Sequence, residues 1–214
     1  MLKAVIFDLD GTVLDTKEDI ANCMNITLKK LGIPEKSLDE YQRVIGNEAT
    51  VFITKLLGEM PKEKAQAIWD AYTPVVERFG TEKSKLFAGM EEVLVTLKQR
   101  GYKLSLFTNK TPEELMPFIP RFLQDLGFDD IVGVGGTPNA KPSPNEVFRI
   151  LKDFGVSPEN AYIVGDGETD ILTALNTGVT PIGALWGNRS REQLSLVGAK
   201  IFATCPKELL DVIK

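Results

Sequence analysis

The stretch "AVIFDLDGTVLDT", Ala4 to Thr16, decides the architecture. Ala4 to Phe7 is a fully apolar run of the kind that forms a strand, and it ends directly in Asp8. A second carboxylate, Asp10, follows, then Gly11 and Thr12. Two acids aimed into one small volume repel each other, and burying either is costly unless something positive is held beside it. A metal ion, a buried lysine and water alone are the three possibilities at this point.

Downstream the period changes. Ile20, Cys23, Met24, Thr27, Leu28 and Leu31 recur every three or four residues, which predicts an amphipathic helix capped by Thr16 and ended by Gly32 and Pro34. A second helix is expected over about 48–57. A third starts at Pro61 and carries Ala65, Ile68, Trp69, Tyr72, Val75, Val76 and Phe79 on one face, with a kink near Pro74. Residues 16–82 therefore read as helical throughout. From about residue 88 helices and strands alternate. Strands are expected at 103–107, 130–134, 162–165, 180–184 and 200–203. Helices are expected at 90–100, 111–126 (broken by Pro117 and Pro120), 144–154 and 170–177, with two short ones near the end. Such alternation builds a doubly wound parallel sheet. The expected organisation is an α/β core made of residues 1–15 and 83–214, with an all-helical domain, residues 16–82, inserted after the first strand.

Composition narrows the chemistry. The chain has 214 residues, 30 Asp and Glu against 25 Lys and Arg, and a net charge of −5. That balance disfavours nucleic acid as a partner. No apolar run approaches the ~20 residues a membrane helix needs, and Met1-Leu2-Lys3 leads straight into the first strand, so the expectation is a cytoplasmic protein away from membranes. Cys23 and Cys205 form no C-x-x-C pair and are expected to be small buried residues in a reducing compartment. Neither monomer nor homodimer is favoured by the sequence. There is no histidine, which removes Ser-His-Asp and Cys-His catalysis, imidazole metal ligands and a phosphohistidine. Neither G-x-S-x-G nor G-x-x-x-x-G-K-[ST] occurs. An enzyme of this composition works with carboxylates, hydroxyls, lysines and a metal.

Asp8, Thr108 and Asp166 each stand immediately after an apolar strand. In an open parallel sheet those strand ends share one edge, where ligands bind. The motifs "DLDGT" (Asp8 to Thr12), "TN" (Thr108-Asn109), "KP" (Lys141-Pro142) and "GDGETD" (Gly165 to Asp170), in that order and spacing, resemble the four motifs of the haloacid dehalogenase superfamily of phosphotransferases, whose core is Rossmann-like. The helical block before residue 82 is similar to the cap of phosphoglycolate-phosphatase-like members, and "WGNRSREQL" (Trp186 to Leu194) is similar to the same subgroup.

The resemblance implies a phosphomonoester hydrolase. Asp8 is then the nucleophile that forms an aspartyl-phosphate. Asp10 protonates the leaving oxygen and later activates water, so the two acids need different pKa values. Thr108, Asn109 and Lys141 contact the phosphoryl group, and Gly11 lets the backbone turn sharply beside it. Asp8, the carbonyl of Asp10 and Asp166 hold Mg²⁺, a hard cation that prefers oxygen ligands. Asp170 orients a metal-bound water or Lys141. Gly167 stands where many relatives carry a serine or threonine. The implied partner is a small phosphorylated metabolite, with phosphoglycolate named and a sugar phosphate, nucleotide or pyrophosphate kept open. A non-catalytic phospholigand-binding protein on the same fold is the alternative of another class. A receiver-type signalling domain also uses acids at strand ends, but the helical insertion does not suit it. Within "VIGNEAT" (Val44 to Thr50) Asn47 is expected to start a helix with Glu48 in its first turn, and Arg43 and Asn47 are the candidates to read the leaving group.

Overall fold

The computed structural model describes residues 2–214. In chain order it runs β1 (Lys3–Phe7), β2 (Leu14–Asp15), α1 (Lys17–Lys30), α2 (Leu38–Gln42), α3 (Ala49–Leu57), α4 (Lys62–Phe79), β3 (Lys85–Leu86), α5 (Met90–Gln99), β4 (Tyr102–Thr108), α6 (Pro112–Leu115), β5 (Asp130–Gly133), α7 (Asn145–Phe154), β6 (Ala161–Gly165), α8 (Glu168–Thr177), β7 (Thr180–Ala184), α9 (Arg191–Leu196), β8 (Ile201–Ala203) and α10 (Leu209–Val212). A π-helical stretch, Ile119–Leu123, follows α6. Six strands form one parallel sheet in the order β5-β4-β1-β6-β7-β8. The α/β class and the doubly wound order are as the sequence predicts.

The apolar run of β1 explains its central place. Alternate strand residues point to opposite faces. Val5 and Phe7 join one buried cluster with Leu104, Leu106, Met90 and Leu94, while Ala4 and Ile6 join another with Phe107, Val147, Ile150 and Ile163. Both faces are covered, so every residue of the run except Lys3 is buried. The first cluster continues without a break into the helical insert, through Ile53, Trp69, Tyr72 and Val76. There Tyr41, Phe52, Trp69 and Tyr72 form a chain of ring contacts with centroids 6.4, 5.2 and 4.9 Å apart.

Several details differ from expectation. β2 and β3 pair antiparallel at the two junctions of the insert, Leu14 opposite Leu86 and Asp15 opposite Lys85; two-residue strands carry no periodicity to read. α2 is too short for an apolar stripe, but its Ser37-x-x-Glu40 capping box is formed. Thr16 precedes α1 without capping it, because its hydroxyl is used elsewhere. α3 is capped by Glu48, which accepts from the Thr50 amide at 3.1 Å, and not by Asn47. α4 continues through Pro74. Cys23 is buried as expected, whereas Cys205 is exposed in the loop before α10, so its assignment to the core is corrected.

Candidate active site

Asp8 leaves the end of β1 with its amide bonded to the carbonyl of Val164 at 2.9 Å, which locks it to the neighbouring strand β6. Three residues on, Gly11 has φ +87, and a Cβ there would overlap Asp166 Oδ2 and Asn188 Nδ2. Glycine is required on both counts. Asp166 directly follows β6 and Thr108 ends β4, so the strand-end rule brings Asp8, Thr108 and Asp166 to one edge, all buried.

Lys141 enters from the loop between β5 and α7. Its ammonium lies 2.7 Å from Asp8 Oδ1 and 2.6 Å from Asp170 Oδ1, almost fully buried. Asn109 holds it there by accepting from the Lys141 amide at 2.8 Å. Asp170 spends its other oxygen on the Gly167 amide at 3.0 Å, closing the first turn of α8. A Cβ at Gly167 would meet that oxygen at 3.3 Å, so glycine leaves the acid room there. Asp166 Oδ2 accepts from the amide and the side chain of Asn188 at 2.6 and 2.7 Å, and Thr12 donates weakly to Oδ1 at 3.4 Å.

Asp10 is held apart from this group. Its Oδ1 accepts from Thr16 at 2.5 Å and its Oδ2 pairs with Lys110 at 3.0 Å. Lys110, which the sequence reading did not nominate, also lies 5.1 Å over the ring of Phe118. The two first-motif acids therefore have separate buried lysines, Lys141 for Asp8 and Lys110 for Asp10.

The charge balance is uneven. Carboxylate oxygens of Asp8, Asp166 and Asp170 lie within 4.8 Å of one another, and Asp8 Oδ2 is buried without a hydrogen-bond partner among the described residues. Burial, then the neighbouring acids Asp170, Asp166 and Asp10, push the Asp8 carboxyl well above its usual range against the pull of Lys141. Burial and Asp170 push Asp166 up to about 7. Burial alone would lower both lysines, but Asp170 and Asp8 raise Lys141, and Asp10 and Glu114 raise Lys110. One ammonium among three acids leaves a deficit of positive charge, and the donors are oxygens only. A hard divalent cation such as Mg²⁺ fits this set, and Asp8 Oδ2 and Asp166 Oδ1 are the oxygens with capacity to spare.

Of the two residues nominated in the insert, Asn47 lines the cleft above Asp8 and Asp10, tied by its amide to the Val44 carbonyl at 2.7 Å and by its oxygen to Lys55 at 2.9 Å. Arg43 does not reach the cleft. Its side chain is exposed, and its carbonyl receives the buried guanidinium of Arg189. Arg189 and Asn188 lie in the Trp186 to Leu194 stretch, which the resemblance singles out without assigning roles.

A family model described as haloacid dehalogenase-like hydrolase matches residues 5–184. A phosphoglycolate phosphatase of Aquifex aeolicus is 34% identical over 190 residues, 87% of this chain and 86% of that protein. One of Vibrio cholerae is 31% identical over 226 residues, 99% of this chain and 97% of that protein. The solved structure of a haloacid dehalogenase-like hydrolase from Streptococcus pneumoniae is similar over 100% of this chain and 99% of its own, with a TM-score of 0.85 at 25% identity.

Proposed function

The chain belongs to the haloacid dehalogenase-like hydrolases and is a phosphatase, and we propose that it hydrolyses a small phosphomonoester through an aspartyl-phosphate on Asp8, with Mg²⁺ held beside that residue. The observation that carries this reading is the state of Asp8. One of its oxygens is fixed by Lys141, and the other is buried and unpartnered in an acid cluster.

Bound Mg²⁺ would supply Lewis-acid stabilisation of charge on the phosphoryl oxygens. The protein does the rest. Lys141 orients Asp8 for attack on phosphorus. As the Asp8–P bond forms, the bond from phosphorus to the ester oxygen breaks, and Asp10, which enters this step protonated, gives that oxygen its proton. Water then attacks the phosphorus of the aspartyl-phosphate, Asp10 takes the water's proton, and phosphate leaves with Asp8 restored. Thr16 and Lys110 aim Asp10 at both steps. Thr108 and Asn109 stand at the phosphoryl end of the cleft. Asp170 stays a positioning residue, since both its oxygens are engaged by Lys141 and Gly167.

Residues 16–82 act as a cap domain on a core of residues 1–15 and 83–214, closing over substrate and excluding water. The two-stranded junction of β2 and β3 supports that division. The substrate in the names of the relatives, phosphoglycolate, supports a small ester over a sugar phosphate or nucleotide.

The test is steady-state hydrolysis of small phosphomonoesters with Mg²⁺, with Asp8→Asn as control. The expected variant folds normally and loses turnover by about 10³-fold or more. Near wild-type activity in Asp8→Asn would end the covalent reading.

A further inference from the structure

The leaving-group end of the cleft is built from the insert and α6, and its chemistry is specific. Phe52, Trp69 and Tyr72 form its apolar side, with the Trp69 ring 5.2 Å from Phe52 and 4.9 Å from Tyr72. Trp69 is only 8% exposed, and its Nε1 is buried with no acceptor among the described residues. Buried indole N–H groups ordinarily find a partner, and Trp69 lines the cleft, so this N–H is a donor left over for what the cleft receives once the side chains there adjust.

Charge is equally informative. Three carboxylates line the cleft, from Asp8, Asp10 and Glu114, against the single ammonium of Lys110. Lys110 is committed to Asp10 at 3.0 Å. Glu114 is fixed by the Thr111 amide at 3.0 Å and the Thr73 hydroxyl at 3.2 Å. The other cations nearby are spoken for or lie outside the cleft: Lys141 lies between Asp8 and Asp170, Arg189 is bonded to Glu168 and three carbonyls, Lys55 is exposed and holds Asn47, and the Arg43 side chain is exposed and does not line the cleft. A Mg²⁺ held by Asp8 and Asp166 would be taken up by the phosphoryl group, so a carboxylate entering beside Glu114 would lose its water with no free cation among the described residues to meet it, which is expensive.

Resting on the phosphatase reading above, we propose that this pocket selects a phosphomonoester with a small, uncharged leaving group that offers a carbonyl or hydroxyl oxygen to Trp69 Nε1, and that it discriminates against a second negative charge. The substrate class read from this pocket is a short neutral alcohol phosphate, and phosphoglycolate, named for the relatives, is the ester it is tested against.

The test compares three small esters under Mg²⁺: phosphoglycolate, its isosteric carboxamide and propyl phosphate, one heavy atom smaller, with p-nitrophenyl phosphate as a general phosphatase probe. The carboxamide differs from phosphoglycolate in charge and from propyl phosphate in its acceptor. The expected kcat/KM for the carboxamide exceeds that for phosphoglycolate by about tenfold or more. Trp69→Phe keeps the ring and removes the donor, and is expected to abolish the advantage of the carboxamide over propyl phosphate. Glu114→Gln keeps the cap of α6 and is expected to narrow the gap between carboxamide and carboxylate. Phosphoglycolate turned over as well as its carboxamide, or an unchanged carboxamide-to-propyl ratio in a folded Trp69→Phe, overturns the inference while leaving the phosphatase reading intact. No turnover of any ester, including p-nitrophenyl phosphate, removes the phosphatase reading and this inference with it.

Discussion

Arg189 donates through Nη2 to the carbonyl of Arg43 at 2.9 Å. The same guanidinium reaches the carbonyls of Gln42 at 2.6 Å and Ile45 at 3.2 Å, while its Nε is paired with Glu168 at the start of α8. One buried arginine thus ties the loop before α3 to the edge that carries Asp166 and Asp170. The next residue of that loop, Gly46, accepts from Asn109 at 3.2 Å and Thr169 at 3.3 Å, so the strap ends at the cleft. Arg189→Ala leaves three carbonyls short of a donor, at about 1–3 kcal/mol for each that stays buried and unsatisfied. Arg189→Lys is expected to recover little, because lysine lacks the planar fork. Urea unfolding measures the first effect, and a raised KM in both variants measures the loosened loop. Full stability in Arg189→Ala would mean water replaces the guanidinium without loss.

Gly11→Ala combines two costs at one site. An alanine at φ +87 pays roughly 1–2 kcal/mol for the left-handed backbone. Its methyl group also overlaps the Asp166 carboxylate and the Asn188 amide, which must move. The expected variant melts several degrees lower and loses turnover out of proportion, because the displaced group is the proposed metal ligand. Unchanged kcat with a lowered melting temperature would show that Asp166 tolerates displacement.

Much of this site was legible because one rule covers it. Asp8, Thr108 and Asp166 follow apolar strands, and parallel strands end at one edge, so position in sequence became position in space. Lys141 and Asp170 came with the resemblance of their motifs. Lys110 and Arg189 were not legible, since each is defined by a partner on another element: Asp10 for one, the carbonyls of residues 42, 43 and 45 for the other. Arg43 misled for the same reason. A loop arginine near a predicted cleft can point either way, and this one points to solvent while its carbonyl does the bonding.

The Asp166 carboxyl makes stability depend on pH in a definite direction. Its folded value stands at about 7 against an ordinary 3.8, raised by burial and Asp170. The fold therefore keeps a proton that the unfolded chain has already lost. This contribution is complete below pH 3.8 and declines as pH rises to about 7, above which it is flat. Asp8 is shifted in the same direction and adds to the slope. Thermal unfolding in a chelator is expected to show a melting temperature that falls across this window. Excess Mg²⁺ is expected to flatten the fall, because the ion compensates the ionised acids. A flat profile in chelator would mean that Lys141 and the Asn188 donors already balance the cluster.

Lys110 separates aiming the acid from binding the phosphate. It holds Asp10 Oδ2 at 3.0 Å, while Thr16 holds Oδ1 at 2.5 Å. Lys110→Met removes one of these two anchors and keeps the aliphatic bulk against Phe118. An alkyl alkoxide is a poor leaving group and needs the proton of Asp10 in the transition state, whereas p-nitrophenolate is stable enough to leave without it. Losing aim by even an ångström costs up to about 10²-fold in such a proton transfer. The expected kcat/KM of Lys110→Met therefore falls about 10–100-fold on an alkyl phosphate and much less on p-nitrophenyl phosphate. The ratio kcat/KM is the right quantity, since it reports the step that breaks the ester bond and not the later release of phosphate from Asp8. Equal losses on both esters would place Lys110 with the phosphate-binding residues and leave Thr16 as the group that aims Asp10.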